Sequence, residues 1–385
     1  MKCKRNRKII IFLSLILFFI KNKDNSSENN NSEKKAKFLK INPFYDLFNS
    51  TIRQNTILVF EPNYYHYECT PGYSKYLVDL GYNVDLLINY SGIDSLCLFE
   101  EIQKLRIFFF NDLNQMKNYS KNLTFIMKKY DFIIVQTTDE KNKDIYNQLQ
   151  LLRMNNSIFV FHYINYAKDN YSNFFGENRI WTLGNIYKGL QVNPHYFGNI
   201  KIKERNDKIR FFLTSTKKRN YKPLIESALK LKNENLSFEI FVLGWKNHLN
   251  FHNIPKNIID YFIFKYHVSY KELYEAVENS DYIIIPLDPR DKHDCHYKVF
   301  SVTGSIQLSY GFLKPAIVND EFGYFYFLNN KNSLIFNNFN LYDGMKKAIQ
   351  LNKNEYKLLQ NNLNATVAEI YKKSIQNVKK VIKEV

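Results

Sequence analysis

From residue 56 onward the chain repeats one rhythm, a run of about five apolar residues followed by an amphipathic stretch of about ten to fifteen. An unbroken apolar run of that length is a strand buried on both faces, and the stretch that follows is long enough for a crossover helix. The chain is therefore expected to build parallel sheets covered by helices on both sides. The first runs are TILVF at 56–60, VDLLI at 84–88, IFFF at 107–110, FIIVQ at 132–136 and IFVFH at 158–162. Between the first two, Pro71 opens a helix that runs through Tyr76, Leu77 and Leu80 and stops at Gly81, with proline in the first turn and glycine at the end.

A polar, charged stretch, NIKIKERNDK at 199–208, interrupts the rhythm, which then restarts with IRFFLT at 209–214. FEIFVL at 238–243, a buried segment near 261–264, YIIIP at 282–286 and AIVN at 316–319 follow, with helices expected over 222–232, 270–279 and 305–312 and a long final helix over about 355–382. The expected fold class is α/β, with two Rossmann-like doubly wound parallel-sheet domains at 51–200 and 201–385. The carboxyl ends of their strands would face a central cleft, where such folds bind ligands.

Composition narrows the function. Hydrophobic residues make up 45% and aromatics 16% of the 385 residues, which excludes disorder over most of the length and suffices for two cores. Residues 1–40 carry 11 Lys/Arg against 3 Asp/Glu, and residues 364–385 carry 5 against 2, so only +6 of the formal +17 falls on the rest of the chain. Basicity confined to the ends suits a membrane surface or solvated tails, and nucleic acid is not an expected partner. Cys3, Cys69, Cys97 and Cys295 form neither a paired metal motif nor a disulfide framework.

At the amino end a 12-residue apolar run, 9–20, follows Lys2, Lys4, Arg5, Arg7 and Lys8 and closes at Lys21. It is short for a membrane span and matches the apolar part of a signal sequence, but no small-residue cleavage site follows it. Residues 1–21 are expected to be an uncleaved signal anchor or a membrane-associated segment lying on the bilayer surface. As an anchor, its positive flank would keep the amino end cytoplasmic and place the globular part on the other side, as suits a luminal enzyme. Residues 22–50, opening with an Asn/Ser/Lys-rich stretch, read as a linker.

The stretch 281–320, DYIIIPLDPRDKHDCHYKVFSVTGSIQLSYGFLKPAIVND, resembles the donor-side segment of GT-B glycosyltransferases: a strand ending in proline, a loop over 287–302, a helix start at Thr303-Gly304-Ser305, and Lys314-Pro315 turning into the next short strand. YKELYEAVENSD at 270–281 is similar to that family's preceding helix, and 211–231 to its first donor-domain unit. The amino half matches less specifically, and the order of motifs over 55–385 carries the likeness. It implies a metal-independent, hexosyltransferase-type enzyme that needs no cofactor and moves a sugar from a nucleotide-diphosphate sugar to a glycan or lipid-linked acceptor. Retaining members often carry two glutamates eight positions apart here. This chain has none, which leaves the stereochemistry open together with two other functions, a catalytically inactive sugar- or nucleotide-binding module and a nucleotide-sugar epimerase.

Breaking a sugar–phosphate bond develops negative charge on the departing diphosphate, and cations with backbone N–H groups offset it. Lys218 and Arg219 follow the first strand of the second half directly and are one candidate phosphate site; a solvated basic turn is the alternative. Lys298 with Gly304 and Ser305 at a helix start is the other, where Ser305 or Thr303 can instead serve as a simple N-cap. On the acceptor side His66 is the expected general base and Glu68 its orienting partner or replacement, against the plain reading of a surface histidine. His293-Asp294-Cys295-His296 is not expected to bind a metal, because adjacent side chains do not converge on one ion.

Overall fold

A computed structural model describes residues 44–97, 99, 104–163, 179–184, 190–195, 202–214, 219–244, 254–299, 301–337 and 340–384. The apolar run 9–20 and Lys218 lie outside the described residues. Among those described, no helix is long and apolar enough to cross a membrane. Tyr45–Phe48 forms a single helical turn, and Ser50–Val385 is one compact unit.

That unit holds two all-parallel sheets. In the first, β1 (Thr56–Phe60), β2 (Asn83–Asn89), β3 (Leu105–Phe110), β4 (Phe132–Val135), β5 (Ser157–Phe161), β6 (Ile180–Thr182) and β7 (Leu190–Gln191) lie in the order β3-β2-β1-β4-β5-β6-β7. In the second, β8 (Ile209–Thr214), β9 (Phe238–Gly244), β10 (Phe262–Tyr266), β11 (Tyr282–Ile285), β12 (Ala316–Asn319) and β13 (Leu334–Phe336) lie in the order β10-β9-β8-β11-β12-β13. Both are doubly wound sheets in which the strand order reverses beside the first strand, between β1 and β4 and between β8 and β11. Those reversals open crevices at the carboxyl ends of the strands. Every residue of β1, β4, β11 and β12 is buried, the reason their sequences are apolar without alternation.

The helices that matter here are α1 (Thr70–Asp79), α2 (Leu113–Asn118), α3 (Ser120–Met127), α4 (Lys143–Gln148), α5 (Lys222–Asn233), α6 (Tyr270–Glu278), α7 (Lys292–Val299), α8 (Gly304–Phe312), α9 (Leu341–Gln350) and α10 (Lys353–Glu384). Helix α1 ends where expected, and Gly81 takes the left-handed conformation at φ +88°. Gly72 serves another need, since a Cβ there would lie 2.4 Å from Pro194 O. Helix α7 occupies part of the stretch 287–302 that the sequence reads as a loop. KHDCHYKV has no apolar stripe, so no helical period shows. The helix is started instead by Asp291, whose side chain accepts from His293 N (2.8 Å) and whose carbonyl accepts from Cys295 N (2.9 Å).

Helix α10 belongs to both sheets. Leu363, Val367 and Ile370 enter a core of the second sheet, whereas Val378 and Val381 enter the core of the first. Ser374 Oγ accepts from Asn193 N (3.0 Å) and Asn377 donates to Gln191 O (2.7 Å), fixing the last turns against β7.

Candidate functional site

The loop after β1 is stapled to the segment after β4. Glu61 is fully buried; its Oε1 accepts from Asn63 N (2.8 Å), and Thr137 Oγ1 donates to its other oxygen. Asn63 in turn donates to Thr137 O (2.9 Å) and accepts from Asn142 Nδ2 (2.7 Å). Burial pushes the Glu61 carboxyl well above its ordinary range, outweighing these hydrogen bonds.

This loop presents His66 and Glu68 together. His66 is held in the left-handed conformation (φ +66°), its carbonyl accepting from Gln136 Nε2 at 3.0 Å, a backbone state that costs a non-glycine residue about 1–2 kcal/mol. The Nδ1 atom of His66 lies 3.3 Å from Glu68 Oε1, and its ring stacks on His162 with centroids 4.2 Å apart. Burial raises the Glu68 carboxyl, but the hydrogen bond and electrostatic attraction of His66, a backbone N–H and, least of these, the Tyr270 hydroxyl together outweigh it and hold the group below its ordinary value. His162 is pushed well down by burial and by the neighbouring His66, so it stays neutral. Tyr64 and Tyr65 flank this group with exposed rings.

On the second sheet the candidate groups gather where β8 meets α8. Thr214 Oγ1, at the end of β8, lies 2.8 Å from Ser305 Oγ. Thr303 holds the N-cap position of α8 but makes no side-chain cap; its hydroxyl accepts from Arg219 Nη2 (3.2 Å) instead. The helix start is thus left without a side-chain cap beside a cation. Gly304 borders open space, because a Cβ added there would meet nothing within 4 Å. Arg219 is only 6% exposed, lies over the Tyr297 ring (5.7 Å), leaves Nη1 without a hydrogen bond and makes no ion pair among the described residues. Buried Asp294 interacts electrostatically with this guanidinium, but Nη1 is left unpaired among the described residues, a costly state for a buried donor.

Not every expected residue joins this cluster. Lys298 forms an ion pair with Glu321 and lies over the Phe322 ring (5.2 Å), so its charge already has a partner. The residues of 293–296 diverge: Asp294 is buried and accepts from Asp288 N (2.9 Å), His293 is exposed, Cys295 Sγ donates to Pro289 O (3.0 Å), and His296 packs on Tyr163 (5.8 Å). Burial raises the Asp294 carboxyl, and Arg219 partly offsets this. Among the described residues no group of three or more His, Cys, Asp or Glu is placed to hold a metal.

The two clusters belong to facing strand ends. Tyr163, just beyond β5, pairs with Ser301, between α7 and α8, in an antiparallel bridge, and Tyr270 of α6 reaches Glu68 (3.2 Å). No family profile matches this sequence, and no curated protein matches it. A structural match does exist in the glycosyltransferase from Rickettsia africae ESF-5, at 15% identity and a TM-score of 0.55 over 86% of this chain and 99% of that one. The fold is GT-B. Other matched structures are TarM (13% identity, TM-score 0.47, 68% of this chain and 58% of that one) and the spinosyn forosaminyltransferase SpnP (12%, 0.46, 85% and 99%). In this GT-B chain 281–320 contains β11, α8 and β12 where a strand, a helix and a short strand were expected, with α7 inside the stretch expected as a loop.

Sequence reasoning did not single out Gln136, His162, Thr214 or Tyr270. A signal for the first two was present: β1, β4 and β5 are each followed by a polar residue, Glu61, Gln136 and His162, and these strands are neighbours at the reversal of the first sheet.

Proposed function

We propose that this GT-B chain transfers a sugar from a nucleoside-diphosphate sugar to a hydroxyl acceptor. In this reading the diphosphate lies against Arg219 and the first amides of α8, with Gly304 allowing close approach. His66 takes the proton of the acceptor hydroxyl as its oxygen bonds the anomeric carbon, and Glu68 balances the imidazolium that forms. The anomeric bond to phosphate breaks, and the nucleoside diphosphate leaves with its charge offset by Arg219 and the helix start. We read the 9–20 run as a membrane attachment and the acceptor as a glycan or a lipid-linked sugar. The observation that carries the reading is Arg219, a buried guanidinium with an unpartnered Nη1 beside a helix start without a side-chain cap.

Calorimetric titration of the full chain with UDP, GDP, TDP and ADP in EDTA-containing buffer tests it. At least one nucleotide is expected to bind without metal. Arg219→Ala then loses a charge-assisted hydrogen bond of about 1.5–3 kcal/mol, weakening that nucleotide roughly 10- to 150-fold. Absence of binding by every nucleotide, or unchanged affinity in Arg219→Ala, overturns the proposal.

A further inference from the structure

Helix α6 reaches the first half of the chain chiefly through Tyr270. Tyr270 is the first residue of α6, whose start is fixed by a reciprocal capping box between Ser269 and Glu272. Its hydroxyl donates to Glu68 Oε2 (3.2 Å) and its backbone N–H donates to Asp94 Oδ2 (2.9 Å). One turn later the Tyr274 hydroxyl donates to Ser95 O (3.3 Å). The Tyr270 ring packs between Tyr67 (6.5 Å) and Tyr274 (6.0 Å). Burial and the neighbouring Glu68 push the Tyr270 hydroxyl upward, so it remains a protonated donor.

Glu68 consequently has a partner on each oxygen, His66 Nδ1 on Oε1 and the Tyr270 hydroxyl on Oε2, the latter 202 residues away in sequence. The terminal torsion of a glutamate is broad, and one partner alone leaves the carboxylate free to swing. A second donor, mounted on a helix of the other half, selects one orientation.

We propose that Tyr270 is a positioning residue: held by Asp94, it sets from the second half of the chain the orientation in which Glu68 meets His66. The inference rests on the reading of His66 and Glu68 as the proton-accepting pair. Complete assembly of that pair then requires both halves, so the acceptor side is matched to the donor side by one hydroxyl.

Tyr270→Phe removes that hydroxyl and keeps the ring contacts. Asp94→Ala releases the backbone of Tyr270 without touching Glu68 or His66. The groups around Glu68 are His66 with His162 stacked behind it, Tyr270, Cys69 and Glu61. Carboxyl-labelled glutamate in the full chain, with Glu68→Gln identifying the resonance, reads the Glu68 titration directly and needs no substrate. Its midpoint is expected to move to higher pH in Tyr270→Phe, where the carboxylate loses a donor, and in the same direction in Asp94→Ala. In a transfer assay Tyr270→Phe is expected to lower kcat about tenfold and leave the donor KM unchanged. An unmoved Glu68 titration in either variant overturns the inference. A chain that turns over no nucleotide sugar defeats the functional reading, while the carboxyl titration still decides the role of Tyr270.

Discussion

Replacing Gly304 with alanine separates folding from binding. The added Cβ meets no atom within 4 Å, and Gly304 is not in the left-handed region, so the folded chain accepts the methyl without strain. As the first residue of α8, alanine also restricts the unfolded chain, and stability is expected to hold or to rise by at most about 1 kcal/mol. The same methyl would stand in front of the helix start that Thr303 leaves without a side-chain cap. If a diphosphate oxygen takes an amide there, the variant loses at least one charge-assisted hydrogen bond of about 1.5–3 kcal/mol, a fall in affinity of roughly 10- to 150-fold. Urea denaturation reads the first quantity, and calorimetry with the tightest-binding nucleoside diphosphate reads the second. A variant that binds within about twofold of the parent, ~0.4 kcal/mol, places the phosphates elsewhere and refutes the reasoning.

Two buried groups make predictions of opposite sign. The folded-state carboxyl of Glu61 is raised above its ordinary value of 4.5, so the stability it contributes is complete below that pH and is lost as pH rises through the folded value. Glu61→Gln, whose amide can donate to Thr137 Oγ1 and accept from Asn63 N, is expected to remove that loss in denaturation curves collected against pH; an unchanged profile refutes it. Burial pushes His195 down to about 3 from 6.5, so its contribution is present above pH 6.5 and is lost as pH falls toward 3. His195→Gln should flatten the acid side of the stability profile by about 1.4 kcal/mol per pH unit within that window, and the difference curve against the parent is the check.

What was legible in the sequence follows from which forces are local. Strands such as β1 and β11 could be read because burial on both faces demands an unbroken apolar run, which survives in sequence as TILVF and YIII. β6, β7 and β13 are three, two and three residues long, too short to carry such a signal, and they exist because a neighbouring parallel strand offers its edge. The same division runs through the site. Arg219, Gly304 and Ser305 were accessible to sequence reasoning because a strand end or a helix start is a local fact. The partners that orient them are not local: Thr303 meets Arg219 across 84 residues, Ser305 meets Thr214 across 91, and Tyr270 meets Glu68 across 202. Lys298 shows the converse, since its position beside a helix start suggested a phosphate ligand while its pairing with Glu321 depends on where α7 packs. Local chemistry therefore nominates groups, and the packing of helices and loops around the second sheet decides which are left without a partner among the described residues. Arg219 is so left at Nη1 and Lys298 is not, a difference that makes Arg219 the better-founded of the two phosphate candidates.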